Sequence, residues 1–120
     1  MNFGIYNGTP SGVELTGGAI GTTGVWYNYV IVRKGSTSTK IYKNGSLVAS
    51  NTSTINPVYN SGNMRPSIGA ESVGPLYSNS ILYYMRNGSK IDAMSIWNKE
   101  LTASDVTNLY NAGTGKQYPN

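Results

Sequence analysis

The sequence has no cysteine and no histidine in its 120 residues. Without cysteine there is no disulfide framework and no thiolate nucleophile. Without histidine the chain lacks the side chain most used as a general base near neutral pH and as a metal ligand. Charge is scarce too: charged residues make up 12% of the chain, against about a quarter in an average domain. The carboxylates number 5 (Glu14, Glu71, Asp92, Glu100 and Asp105) and are isolated in sequence. The net charge of +4 comes from cations set singly, with Arg33 and Lys34 the one adjacent pair. Nucleic-acid binding needs a basic stripe, so no nucleic-acid partner is expected. No apolar run approaches the roughly 18 residues of a membrane span, so no membrane insertion is expected. The first residues lack the apolar segment of a secretory signal. Export is therefore expected by another route, such as lysis or as part of a larger assembly.

Asn, Ser, Thr, Gly and Tyr fill the space that charge leaves, with 15 glycines and 10 tyrosines. They give a neutral, hydrogen-bonding surface with many turns, suited to sugars or to close subunit packing. The length fits one domain over residues 1–120, able to bury roughly two-thirds of its unfolded surface without a metal or disulfide.

Along the chain, short β-prone runs alternate with turn signals. Residues 1–6 and 13–15 read as two short strands in a Gly-rich, atypical front end covering 1–23. Residues 25–33, Val-Trp-Tyr-Asn-Tyr-Val-Ile-Val-Arg, form the strongest expected strand. Trp26, Asn28, Val30 and Val32 alternate with Tyr27, Tyr29 and Ile31. Both faces are largely apolar, which predicts a strand covered on both sides, with Trp26 in the core. Residues 39–42 and 47–50 flank Asn44-Gly45, a pair that favours a two-residue hairpin turn because both positions require positive φ. Residues 51–67 read as a polar loop, 67–70 as a short strand, and 80–86 and 90–97 as two more. In the last of these Ile91 and Ala93 face away from Asp92, Met94 and Ile96. Residues 101–111 are the one expected helix. Thr102-Ala103-Ser104-Asp105 resembles a capping box, Val106, Leu109 and Tyr110 form an apolar face, and Gly113 is expected just past the end. Short strands with one late helix predict an all-β sandwich.

In order and spacing these segments resemble the laminin G-like domains of the concanavalin A-like lectin/glucanase superfamily. The residues that carry the resemblance are Gly24-Val25-Trp26-Tyr27-Asn28-Tyr29-Val30, Ile41-Tyr42-Lys43-Asn44-Gly45, Ile68-Gly69, Gly88-Ser89-Lys90-Ile91-Asp92, and Ile96-Trp97 through Val106 with Leu109-Tyr110. They span residues 24–110. The resemblance implies an antiparallel jelly-roll β-sandwich with one short C-terminal helix. Trp26, Asn44, Gly45, Ile91, Trp97, Thr102, Leu109 and Tyr110 are its expected structural residues. Relatives carry more strands before the Gly-x-Trp segment. The short front end therefore leaves an open edge that an oligomer is expected to cover.

Glycoside hydrolysis needs two carboxylates about 5–9.5 Å apart. The glucanases of this superfamily alternate Glu and Asp along one strand, and no such segment occurs here. A non-enzymatic module is therefore expected, with no cofactor. Calcium, which wants six to eight oxygens, has one weak candidate ligand in Asp92. Sugar recognition uses aromatic faces with polar neighbours. Tyr59, Tyr77 and Tyr83, with Asn60 and Asn63, lie in or beside loops and are the candidate glycan contacts. The expected function is a binding or structural module on the surface of a larger assembly, a virion or the extracellular side of a cell. A phage or viral capsid-decoration or tail-fibre protein is the first reading. Its partners are itself, other virion or surface proteins, and cell-surface glycans. The alternatives are a stand-alone carbohydrate-binding module of a bacterial secreted enzyme or adhesin and, more remotely, a glycoside hydrolase.

Overall fold

Asn44 and Gly45 sit at φ +50° and +77°, the left-handed pair that a tight hairpin turn requires. They join the second and third strands of the largest sheet among the described residues. In the computed structural model the described residues are 2–6, 12–16, 21–52, 70–72, 81–84 and 88–116, with side chains described over 21–52 and 88–116. The chain divides into two compact units, residues 1–58 with 97–120, and residues 59–96.

In the first unit β1 (Asn2–Tyr6) and β2 (Gly12–Thr16) pair antiparallel, with Asn2 opposite Thr16 and Tyr6 opposite Gly12. A three-stranded antiparallel sheet follows, formed by β3 (Tyr29–Lys34), β4 (Ser38–Lys43) and β5 (Ser46–Asn51) in that order. β2 approaches β5. Tyr29 faces Lys43, Val30 faces Tyr42 and Ile31 faces Ile41 across β3 and β4. Between β4 and β5 the register moves from Ile41–Ala49 to Tyr42–Leu47, leaving Val48 as an extra residue, a β-bulge.

The sequence predicts a helix over 101–111, and α1 runs Ala103–Tyr110. Its start is fixed by a complete capping box. The Thr102 hydroxyl accepts from the Asp105 N–H at 3.1 Å, and the Asp105 carboxylate accepts from the Thr102 N–H at 2.9 Å. Its end differs from expectation. Asn111, not Gly113, takes the first left-handed position, at φ +45°, and Ala112 and Gly113 continue in that region before Thr114. The Asn111 amide, bonded to Thr114 Oγ1 and the Gly115 carbonyl, closes the turn that a glycine was expected to close.

The core lies between this helix and one face of the sheet. Val30, Val32 and Tyr42 on the strands meet Leu101, Val106 and Leu109, and half-buried Trp97 packs at the margin. Each buried aliphatic side chain contributes about 1.5–3 kcal/mol of burial. On the other face Ile41 is completely buried and Thr39 nearly so. The strand covered on both sides is therefore β4, the middle strand of the three, whereas the sequence pattern pointed to β3.

Two expected strands need correction. The strand expected over 25–33 begins its ladder only at Tyr29, so Val25 and Trp26 lie outside it. Trp26 is 63% exposed and not a core residue. The register that sets Tyr29 against Lys43 would put Ser46 opposite Trp26, but the Asn44-Gly45 turn has already carried Ser46 into β5. The sheet ends before the tryptophan can be covered.

The second unit contains β6 (Ala70–Ser72) paired antiparallel with β7 (Ile81–Tyr84). The strand expected over 90–97 is absent: residues 89–97 form neither strand nor helix. Ala93 is left-handed at φ +51°, and its N–H is held by the Asp92 carboxylate at 2.7 Å. This local side-chain bond competes with a ladder and breaks the alternation of the pattern. Ile91, expected as a structural residue, is 52% exposed, and Met94 and Ile96 are exposed as well.

Candidate functional site

The end of the sheet that carries the Asn44-Gly45 turn is tied to the segment before β3. The Asn44 N–H donates to the Asn28 carbonyl at 2.9 Å, and the Asn28 N–H donates to Asn44 Oδ1 at 3.0 Å. One asparagine thus forms the turn and extends the β3–β4 ladder by a residue. Gly45 lies beneath Tyr110: a Cβ placed on it would stand 3.1 Å from the ring. Tyr110 therefore joins the turn to the C-terminal end of α1.

One residue beyond Asn28, Tyr27 is held on several sides. Its hydroxyl accepts from the Thr22 N–H at 3.1 Å, and the Lys43 ammonium sits 4.4 Å from its ring centroid. Gly21 lies so close that a Cβ there would fall 2.3 Å from ring atoms and force the ring to shift, and its φ of +107° strains any other residue. The same ammonium is 5.9 Å from the Tyr29 ring. The Thr22 hydrogen bonds, backbone first and side chain second, hold the Tyr27 phenol below its ordinary pKa. Asn28 Oδ1 and the Tyr29 hydroxyl are buried and make no hydrogen bond. Beside this cluster stands the exposed Trp26. The alternation of residues 27–31 places the two tyrosines on one face, and the hairpin register brings Lys43 to them. The Gly21 contact has no signal in the sequence.

The expected glycan contacts are not assembled by the described residues. Tyr59, Asn60, Asn63 and Tyr77 lie outside them. Tyr83 is on β7 with its backbone opposite Glu71, and its side chain lies outside the described residues too. Of the residues expected to be structural, Asn44, Gly45, Trp97, Thr102, Leu109 and Tyr110 occupy the turn, the core margin, the cap, the core and the turn–helix contact described above.

The described carboxylates each have a local partner. Asp92 holds the Ala93 N–H. Glu100 pairs with Lys34 at 3.5 Å in an exposed ion pair. Asp105 caps α1, and the Thr102 N–H and then the Thr102 hydroxyl hold its carboxyl below the ordinary range. Among the described residues no three acidic, His or Cys groups gather as a metal site, and no helix is long and apolar enough to cross a membrane. Glu14 on β2 stands opposite Gly4, and Glu71 on β6 stands opposite Tyr83.

The chain is similar in fold to the crystal structure of residues 221–444 of an S-layer domain-containing protein from Clostridium thermocellum, with a TM-score of 0.60 at 22% identity. The match covers 91% of this chain and 50% of that one, so the chain spans about half the length of that structure. No curated protein matches it. A laminin G family model, described as concanavalin A-like lectin/glucanases superfamily, matches residues 1–107. That match takes in the Gly-x-Trp segment, the Asn-Gly hairpin and the capping box that begins the helix. The chain therefore belongs to the laminin G family of the concanavalin A-like lectin/glucanases superfamily.

Proposed function

We propose that this protein is a non-catalytic glycan-binding module, folded as a jelly-roll sandwich and displayed on the surface of a larger assembly. The observation that carries the non-catalytic part is the employment of the described carboxylates. Asp92 serves a turn, Glu100 an ion pair and Asp105 a helix cap. Glycoside hydrolysis requires a pair of carboxylates facing each other across the scissile bond. The sparse charge and the abundance of Asn, Ser, Thr and Tyr support a neutral polar ligand.

A virion surface, as a capsid-decoration or tail-fibre protein, is the first location, with homo-oligomers and other virion proteins as partners. The composition, poor in charge and rich in Asn, Ser, Thr and Tyr, supports it. An extracellular module of a bacterial surface protein is the second reading, and the S-layer domain-containing neighbour favours it. Calcium and other cofactors have no part in either reading.

The test is to incubate the protein with a panel of soluble polysaccharides while measuring both retention in affinity gels and release of reducing ends. Retention without hydrolysis is the expected result. Hydrolysis that disappears in Glu71→Gln or Glu14→Gln would overturn the reading in favour of a glycosidase.

A further inference from the structure

We propose that Trp26 is the stacking face for a neutral pyranose ring, presented by an arm whose backbone is fixed in advance. The proposal rests on the glycan-binding reading above and names the contact within it. A tryptophan is costly to leave in water, yet this one is 63% exposed, and its neighbour Val25 is 53% exposed. A residue that departs from the core pattern while the surrounding structure holds it outward is a mark of a functional position.

The backbone on both sides of Trp26 is tied down. The Val25 N–H donates to the Thr22 carbonyl at 3.3 Å, and the Thr22 N–H donates to the Tyr27 hydroxyl. Tyr27 is wedged between the Gly21 backbone and Lys43, and Asn28 exchanges two hydrogen bonds with Asn44. Little backbone entropy remains to be lost when a ligand lands on the indole. Tyr27 itself, with Lys43 over its ring, serves as the clamp and not as the platform.

The neighbours of the indole select the ligand class. Thr23, on the same arm, is exposed, with Gly24 between it and Val25. Its hydroxyl suits the rim of a sugar, and the indole suits the sugar's C–H face. The one cation of the cluster, Lys43, is held against Tyr27, so a carboxylated or sulfated sugar gains no advantage here.

The test uses the full chain and soluble, neutral β-glucan, galactomannan and starch, with polygalacturonate as the acidic control. Affinity electrophoresis gives the dissociation constant, and intrinsic fluorescence reports on the indoles. Trp26→Ala is expected to weaken binding to whichever neutral polymer is retained by about tenfold or more, and Trp26→Phe to restore part of it. Lys43→Met, which loosens the clamp, should weaken binding by a few-fold. The melting temperature of Trp26→Ala should match the wild type, since the side chain is largely exposed.

Wild-type binding that Trp26→Ala leaves unchanged overturns this proposal while the glycan-binding reading stands. A folded wild type that retains no polysaccharide overturns both. Preference for polygalacturonate overturns the neutral class. Conversion of an oligomer to a monomer by Trp26→Ala, seen by light scattering, makes the indole a subunit contact and also overturns the proposal. If Trp26→Ala does not fold, Trp26→Phe and a ligand-dependent shift of wild-type tryptophan emission decide the matter.

Discussion

The helix-backed face of the sheet and the stretch 89–96 carry the same kind of sequence and end differently. On the first, Val30, Val32 and Tyr42 meet Leu101, Val106 and Leu109 and are all buried. In the second, Ile91, Met94 and Ile96 are exposed, Ile96 by 89%. Both regions carry large aliphatic side chains, so residue type alone does not decide the outcome. The strands of the first region are joined by two hairpins whose turns fix their register, and the helix beside them starts at a complete cap. In the second, a carboxylate at Asp92 captures the next amide and turns Ala93 left-handed before any ladder forms. Apolar residues become core only where backbone partners bring a second surface to them.

The largest effect expected from this contrast is at the sheet–helix core. Leu109→Ala, or Ile41→Ala on the opposite face, should lower unfolding free energy by about 3 kcal/mol in urea titration with an unchanged slope. Gly45→Ala should cost about 1–2 kcal/mol from its left-handed φ alone, and more from the approach to Tyr110 at 3.1 Å. The double variant Gly45→Ala/Tyr110→Ala should recover the contact part and leave the backbone part, measured as a double-mutant cycle. Thr102→Ala should cost about 1 kcal/mol through loss of the cap.

The same cap predicts a pH dependence. The Asp105 carboxyl is held below its ordinary value in the folded state, so its contribution is complete above about pH 4. It is lost as pH falls through the lower folded value. Urea midpoints of wild type and Asp105→Ala, separated at neutral pH, should draw together in acid. The smallest effect is expected in the other region, where Ile96→Ala should change stability by less than about 0.5 kcal/mol. A cost for Ile96→Ala equal to that of Leu109→Ala would break the comparison. It would mean that the stretch is covered in solution, and a dependence on protein concentration would point to a second copy.

Local chemistry was legible at the hairpin turn and the helix start, and was missed at Asp92 and Asn111, whose side chains bond backbone within four residues of themselves. Asn44-Gly45 specified its turn through the positive φ that both residues tolerate. Thr102 and Asp105 specified the start of α1 through reciprocal hydrogen bonds three residues apart. The candidate site was only partly legible. The face shared by Tyr27 and Tyr29 followed from alternation, and Lys43 followed from the hairpin register. The exposure of Trp26 did not, because a strand-forming run does not reveal where its partner strand turns away. Nor did the place of Gly21 in the Gly-rich front end mark it, since its approach to Tyr27 leaves no periodic trace.

The sequence by itself determined the laminin G family, the Asn44-Gly45 hairpin, the capped helix and the scarcity of acid pairs. These depend on short-range geometry or on composition, which a single chain displays directly. Only the tertiary structure decided that β4 and not β3 is covered on both faces and that Trp26 faces solvent. Each of these depends on which segments meet across the fold, and contacts between distant segments are set by register and packing, which residue pattern alone does not encode.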